Sequence, residues 1–134
     1  SHSLGALITY DVLWKFSYYG EHENIRSKKV SVWVTIGSPL SDETSKRSLK
    51  GSAVSGDRRY PGNVRRWVNV AAEDDYVSHD QTAADDYREM KLVEPIVDHR
   101  IYNLAVRNGK SNPHQGVGYL IHPVVCQTVS EWLD

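Results

Sequence analysis

Apolar residues recur at helical spacing near the start of the chain: Leu4, Leu7, Ile8, Val12 and Phe16, with Leu13 and Trp14 widening the stripe. That spacing predicts a helix from Leu4 to about Tyr18, ended by Gly20 and the polar run EHENIRSKK. The pattern then changes. Val30 to Ile36, VSVWVTI, is a nearly continuous apolar run rich in β-branched residues and stops at Gly37-Ser38-Pro39. Such a run predicts a strand buried on both faces, as in a parallel sheet. Asp42 to about Pro61 is polar and charged without a period and reads as an irregular surface excursion. Val64 to Ala72, VRRWVNVAA, predicts a second strand, with EDDYVSHD as the loop after it. Residues 81–91 are polar and partly helical in pattern, and Val93 to Asn103 forms a third extended segment interrupted by Pro95. RNGKSNPHQG is dense in turn formers. A last helix is predicted from Val117 to Leu133, its apolar side made of Leu120, Ile121, Val124, Val125, Val129, Trp132 and Leu133. Pro123 fits near that helix's first turn or at a break between two short helices. Buried strands alternating with helices point to an α/β layered architecture.

Composition narrows the function more than the fold. The 134 residues make one domain at most, and its 16 basic residues are balanced by 17 acidic ones for a net charge of −1. A chain so balanced has no field to hold a phosphate backbone, and Arg58-Arg59 and Arg65-Arg66 are too mixed with acids to make one. Nucleic acid is therefore not an expected partner. No apolar run approaches the length of a membrane span, so no transmembrane segment is expected. The single cysteine, Cys126, allows neither an internal disulfide nor a Cys-rich metal site. Its apolar setting, HPVVCQTVSEWL, predicts a buried structural thiol. No signal-peptide pattern is present and there is no initiator Met, which leaves the compartment unknown.

The segment SHSLGALITY carries the first candidate chemistry. An alcohol is a weak nucleophile at neutral pH; it needs an imidazole to take its proton, an acid to orient that imidazole, and N–H groups aimed at the developing oxyanion. A serine at a tight strand-to-helix turn supplies the geometry, because its hydroxyl protrudes and the next N–H lies at a helix N-terminus. Small residues are needed two positions either side, and Ser1 and Gly5 fill those places around Ser3. Taken alone, a serine before a helix reads by default as an N-cap, and EDD at residues 73–75 as a solvated acidic turn.

Four segments in order change that default. SHSLGALITYDVLWKF resembles the nucleophile elbow and following helix of the α/β-hydrolase superfamily in its lipase-like and esterase-like members. GSPL resembles the segment after that family's sixth strand, RRWVNVAAEDDYV its next strand and acid loop, and NPHQGVGYLIHPVVCQTVSEWL its histidine loop and terminal helix. The order nucleophile, acid, histidine is the family's; Ser1 departs from the commoner glycine. The resemblance implies Ser3 as nucleophile, the Leu4 N–H as one oxyanion donor, Asp75 as triad acid and His114 as general base. Asp74 is the nearest competitor for the acid, and Asp42, after the first strand, is a location some lipases use. His2 adjoins the nucleophile without being the base. His79, His99 and His122 read as surface or packed histidines, and Asp11 as paired with neighbouring backbone or a basic group. No His-x-x-x-His pair lies on a helix, so no metal is expected, and the triad calls for no cofactor.

By this resemblance residues 1–134 form the C-terminal half of an α/β-hydrolase fold, about three mainly parallel strands flanked by helices. The family's earlier strands, and the loop giving its second oxyanion N–H, would precede the elbow. The first visible strand would then have an exposed edge open to pairing with an N-terminal fragment or with another copy. The implied activity is hydrolysis of small-molecule or lipid acyl esters through an acyl-enzyme; amide hydrolysis and acyl transfer share the triad. A non-catalytic hydrolase-like scaffold used for binding is the alternative.

Overall fold

The computed structural model describes residues 1–134. Three parallel strands form its sheet: β1 (Val30–Ile36), β2 (Val64–Ala72) and β3 (Val97–Ile101), in the order β1-β2-β3. Trp33 lies opposite Trp67 and Ile36 opposite Val70, while Val70 and Ala72 lie opposite His99 and Ile101. β2 is central and is buried from Trp67 onward, matching its continuous apolar run. The flanking helices are α1 (Leu4–Tyr18), α2 (Glu23–Arg26), α3 (Glu43–Ser48), α4 (Gly116–Leu120) and α5 (Pro123–Leu133). A small antiparallel ribbon, β4 (Val106–Arg107) and β5 (Lys110–Ser111), projects from the RNGKS segment. Asn108 and Gly109 both take positive φ at its tip, 53° and 73°, the backbone that an Asn-Gly hairpin favours. The molecule is mixed α/β, and no helix is long and apolar enough to cross a membrane.

Each face of the sheet has its own core. On one, Ala6, Tyr10 and Leu13 of α1 pack with Trp33, Trp67 and Tyr87. On the other, Val68, Val70 and Ala72 pack with Tyr119 of α4 and Val125 of α5. Alternation along β2 produces the division, Trp67 pointing one way and Val68, Val70 and Ala72 the other. The polar residues inside the strands are satisfied in a chain. The Trp67 indole N–H donates to Thr35 Oγ1 at 2.9 Å, Thr35 donates to Asn69 Oδ1 at 2.8 Å, and the Asn69 amide donates to Asp98 at 2.9 Å.

Several expectations are corrected. The predicted α1 stripe is split: Leu13 and Trp14 are buried as expected and Leu7 is half-buried, but Leu4 is 64% and Ile8 67% exposed, with Val12 and Phe16 also outside. The buried side is Ala6, Tyr10, Leu13 and Trp14, an equally good helical set; the Trp14 indole N–H also donates to the Arg58 carbonyl at 2.8 Å. The excursion from Asp42 to Pro61 contains α3, capped by the Asp42 carboxylate on the Ser45 N–H. The third strand is shorter than its segment, and the last helix is two short ones that break at His122-Pro123, with Pro123 in the first turn of α5 as expected of it. On α5 only Val125 and Thr128 are buried, so Val129, Trp132 and Leu133 face outward, and Cys126 is exposed rather than buried. Asp11 accepts from the Lys50 N–H at 2.8 Å, the backbone pairing expected of it.

Candidate active site

Residues 1–3 run parallel to the C-terminal end of β1. The Ile36 N–H donates to the Ser1 carbonyl at 2.9 Å, and the Ser3 N–H donates to the Ile36 carbonyl at 3.2 Å. Ahead of Val34 the outer edge of β1 has no strand beside it. After Ser3 the chain turns at once into α1, and Ser3 takes φ 55° and ψ −137° to do so. That is backbone which side chains other than glycine occupy only under strain.

Ser3 stands at the N-cap position of α1, yet its side chain makes no cap hydrogen bond. Its Oγ lies instead 2.8 Å from His114 Nε2. The side chain therefore does not cap α1, because a capping serine turns its oxygen to the helix N–H groups. The Leu4 N–H has no acceptor in the chain and lies at the positive end of α1.

Asp75 follows β2, its own N–H donating to the Ala72 carbonyl at 3.1 Å. Its side chain is 1% exposed, whereas that of His114 is 31% exposed. His114 Nδ1 lies 2.9 Å from Asp75 Oδ2 and 3.1 Å from Oδ1. Oδ1 also accepts from the Val77 N–H at 3.0 Å, and Oδ2 accepts from the Tyr119 hydroxyl at 2.6 Å. A carboxylate only accepts, so the imidazole carries its proton on Nδ1 and turns the lone pair of Nε2 to the Ser3 hydroxyl. The alternatives lie elsewhere: Asp74 is exposed beside the loop, and Asp42 caps α3. His79 is on the surface, His99 lies in β3, and His122 caps α5 by accepting from the Val124 N–H.

Two neighbours tune this array. Burial, and then the Asp75 hydrogen bond, raise the Tyr119 phenol well above its ordinary range, so it remains a donor. Its oxygen in turn accepts from the Ala72 N–H at 3.0 Å, tying the acid loop to the end of β2. The His2 ring lies 4.8 Å from that of His114, centroid to centroid. Burial lowers the His2 pKa, and the His114 charge acts the same way, against the opposing pull of the His114 carbonyl and of Asp75. Gly37 shows how closely the site is packed. It sits at φ +53°, and a Cβ there would come within 2.9 Å of Asp75 Oδ2 and 3.0 Å of Tyr119.

The residues that sequence patterns did not single out are Tyr119 and Asn103. Tyr119 lay among the apolar residues of a predicted helix, and Asn103 at the end of an extended segment. The signal that could have pointed there is the pair of glycines around Tyr119, Gly116 and Gly118. Comparison with protein-family models, curated proteins and solved structures found no match to this chain.

Proposed function

We propose that the protein is a serine hydrolase of carboxylic esters, with Ser3 as nucleophile, His114 as general base and Asp75 as the orienting acid. The observation that carries this reading is Ser3 itself, held at positive φ on a helix N-terminus with its Oγ 2.8 Å from His114 Nε2. A strained backbone that aims a hydroxyl at an imidazole, and leaves the helix uncapped, serves no structural end.

The steps follow from the geometry. Ser3 Oγ attacks the ester carbonyl while His114 Nε2 takes the hydroxyl proton. The oxyanion forms beside the Leu4 N–H, which is free to donate to it. Collapse of the tetrahedral intermediate expels the alcohol, protonated by His114, and leaves an acyl-Ser3 ester. Water, activated by His114, then attacks that ester and releases the acid. Asp75 stays ionised and stabilises the imidazolium formed in each half. The same reading extends to the fold. Residues 1–3, β1, β2 and β3 lie side by side in parallel. The nucleophile ends the segment of residues 1–3, and the acid and histidine lie past the C-terminal ends of β2 and β3, as in the C-terminal half of an α/β-hydrolase.

A fluorophosphonate probe tests the proposal, because it is attacked by an activated serine and then stays bound. One equivalent should attach to Ser3. Ser3→Ala should abolish labelling, and His114→Ala should slow it by on the order of a thousandfold. Labelling of Ser3→Ala at the unmodified rate would remove Ser3 from the role, and absence of labelling in the unmodified protein would favour a binding scaffold.

A further inference from the structure

Three consecutive carbonyls around His114 are each held by a side chain from elsewhere in the fold. The Asn103 amide donates to the Pro113 carbonyl at 2.7 Å and to the Gln115 carbonyl at 2.9 Å. His2 Nε2 lies 3.0 Å from the His114 carbonyl, which can only accept, so His2 donates to it. Asn103 is 1% exposed and fully engaged, its Oδ1 accepting from the Ala105 N–H at 3.1 Å. Space is closed on the Asn103 side of this arrangement, where a Cβ at Gly118 would fall 1.8 Å from Asn103 Oδ1; one at Gly116 would meet His2 Nδ1 in ordinary contact at 3.4 Å.

A histidine on a loop must be held in place before its ring can work, because Nε2 has to meet the serine within a few tenths of an ångström. The bonds within the triad hold the ring; they do not hold the loop. Asn103 grips the loop from the end of the β3 segment, and His2 grips it from the residue next to the nucleophile. His2 thereby gauges the loop against Ser3 directly.

We propose that Asn103 and His2 are positioning residues that clamp the His114 loop and set the approach of its imidazole to Ser3, a role that rests on the hydrolase reading above. Neither residue touches the reacting atoms. Both act through main-chain carbonyls, with Asn103 taking two and His2 one.

Two side-chain pairs test the clamp. Asn103→Asp keeps the size of the side chain and the acceptor for Ala105 but removes both donors. His2→Phe keeps a ring beside His114 but removes its donor, whereas His2→Gln restores an N–H at a similar reach. Two readouts are taken on the whole chain: the fluorophosphonate labelling rate across probe concentrations, and the low-field proton resonance of the His114 Nδ1–H bond to Asp75. Asn103→Asp and His2→Phe should lower the maximal labelling rate by on the order of tenfold to a hundredfold, with the half-saturating probe concentration unchanged. Both should also broaden or shift the low-field resonance, and His2→Gln should recover rate and resonance together. Wild-type rate and an unshifted resonance in both variants would overturn the proposal. If Asn103→Asp loses its cooperative melt, the His2→Phe and His2→Gln pair decides. If the unmodified protein gives the resonance but no labelling, the hydrolase reading fails, and the clamp is judged on the resonance alone.

Discussion

At the scale of single residues the clearest cost in the molecule is the backbone of Ser3. Its φ of 55° with ψ −137° lies where glycine is at ease and other residues are not. Ser3→Gly should therefore raise stability by about 1 kcal/mol relative to Ser3→Ala, which keeps the strain while losing the hydroxyl. Urea melts of the two variants check this; equal midpoints would mean that the turn carries no strain. Tyr119→Phe acts in the opposite direction. It leaves the Ala72 N–H without an acceptor and Asp75 short of a donor, and should cost about 1–3 kcal/mol in the same melts. Ser3, Asp75 and His114 entered the sequence reading together, through the family resemblance of segments that follow one another in order; taken singly, the serine reads as an N-cap and the acids as a solvated turn. Asn103 and Tyr119 could not be picked out, because their partners are defined only once distant segments meet.

At the scale of elements, the strands were legible and the facing of the helices was not. VSVWVTI and VRRWVNVAA are apolar enough on both sides to specify buried strands whatever packs on them. α1 is apolar most of the way round, so periodicity located the helix without orienting it. Ala6, Tyr10, Leu13 and Trp14 take the core because Tyr10 and Leu13 fit against Trp33 and Tyr87, and Trp14 reaches the Arg58 carbonyl. Opposite-face variants should separate accordingly. Leu13→Ala should cost about 2–4 kcal/mol, while Ile8→Lys should stay within about 0.5 kcal/mol of the unmodified protein. Melts that rank them the other way would put the Leu4, Ile8, Val12 and Phe16 side of α1 in the core. α3 was hidden for a different reason. It has no apolar face of its own and is held by polar contacts, the Asp42 cap and the ion pair of Lys46 with Asp86.

At the scale of the whole molecule, three buried phenols link stability to alkaline pH. Tyr10, Tyr87 and Tyr119 are 2%, 3% and 0% exposed, and burial raises the pKa of each above its ordinary value. A group whose pKa is raised on folding favours the native state fully below its unfolded value. That contribution is lost as pH climbs past the unfolded value toward the folded one. Stability should thus be insensitive to these groups up to about pH 10 and fall above it. Urea melts from pH 8 upward check this, and Tyr87→Phe should flatten the alkaline slope; an unchanged slope would place the effect elsewhere.

The hydrogen-bonded array of Ser3, His114 and Asp75 is also assembled from distant parts of the chain. Ser3 and His114 are 111 positions apart, and His114 and Asp75 are 39 apart. Contacts of such separation are costly to close and form slowly. On the proposed hydrolase reading, chemical reactivity at Ser3 is therefore a clock for chain closure. During refolding, fluorophosphonate capture should begin only when the two ends of the sequence have met, after strand pairing has already changed the tryptophan fluorescence. Capture that precedes the fluorescence change would mean that the N-terminal turn and the histidine loop find each other before the sheet that separates them in sequence is built.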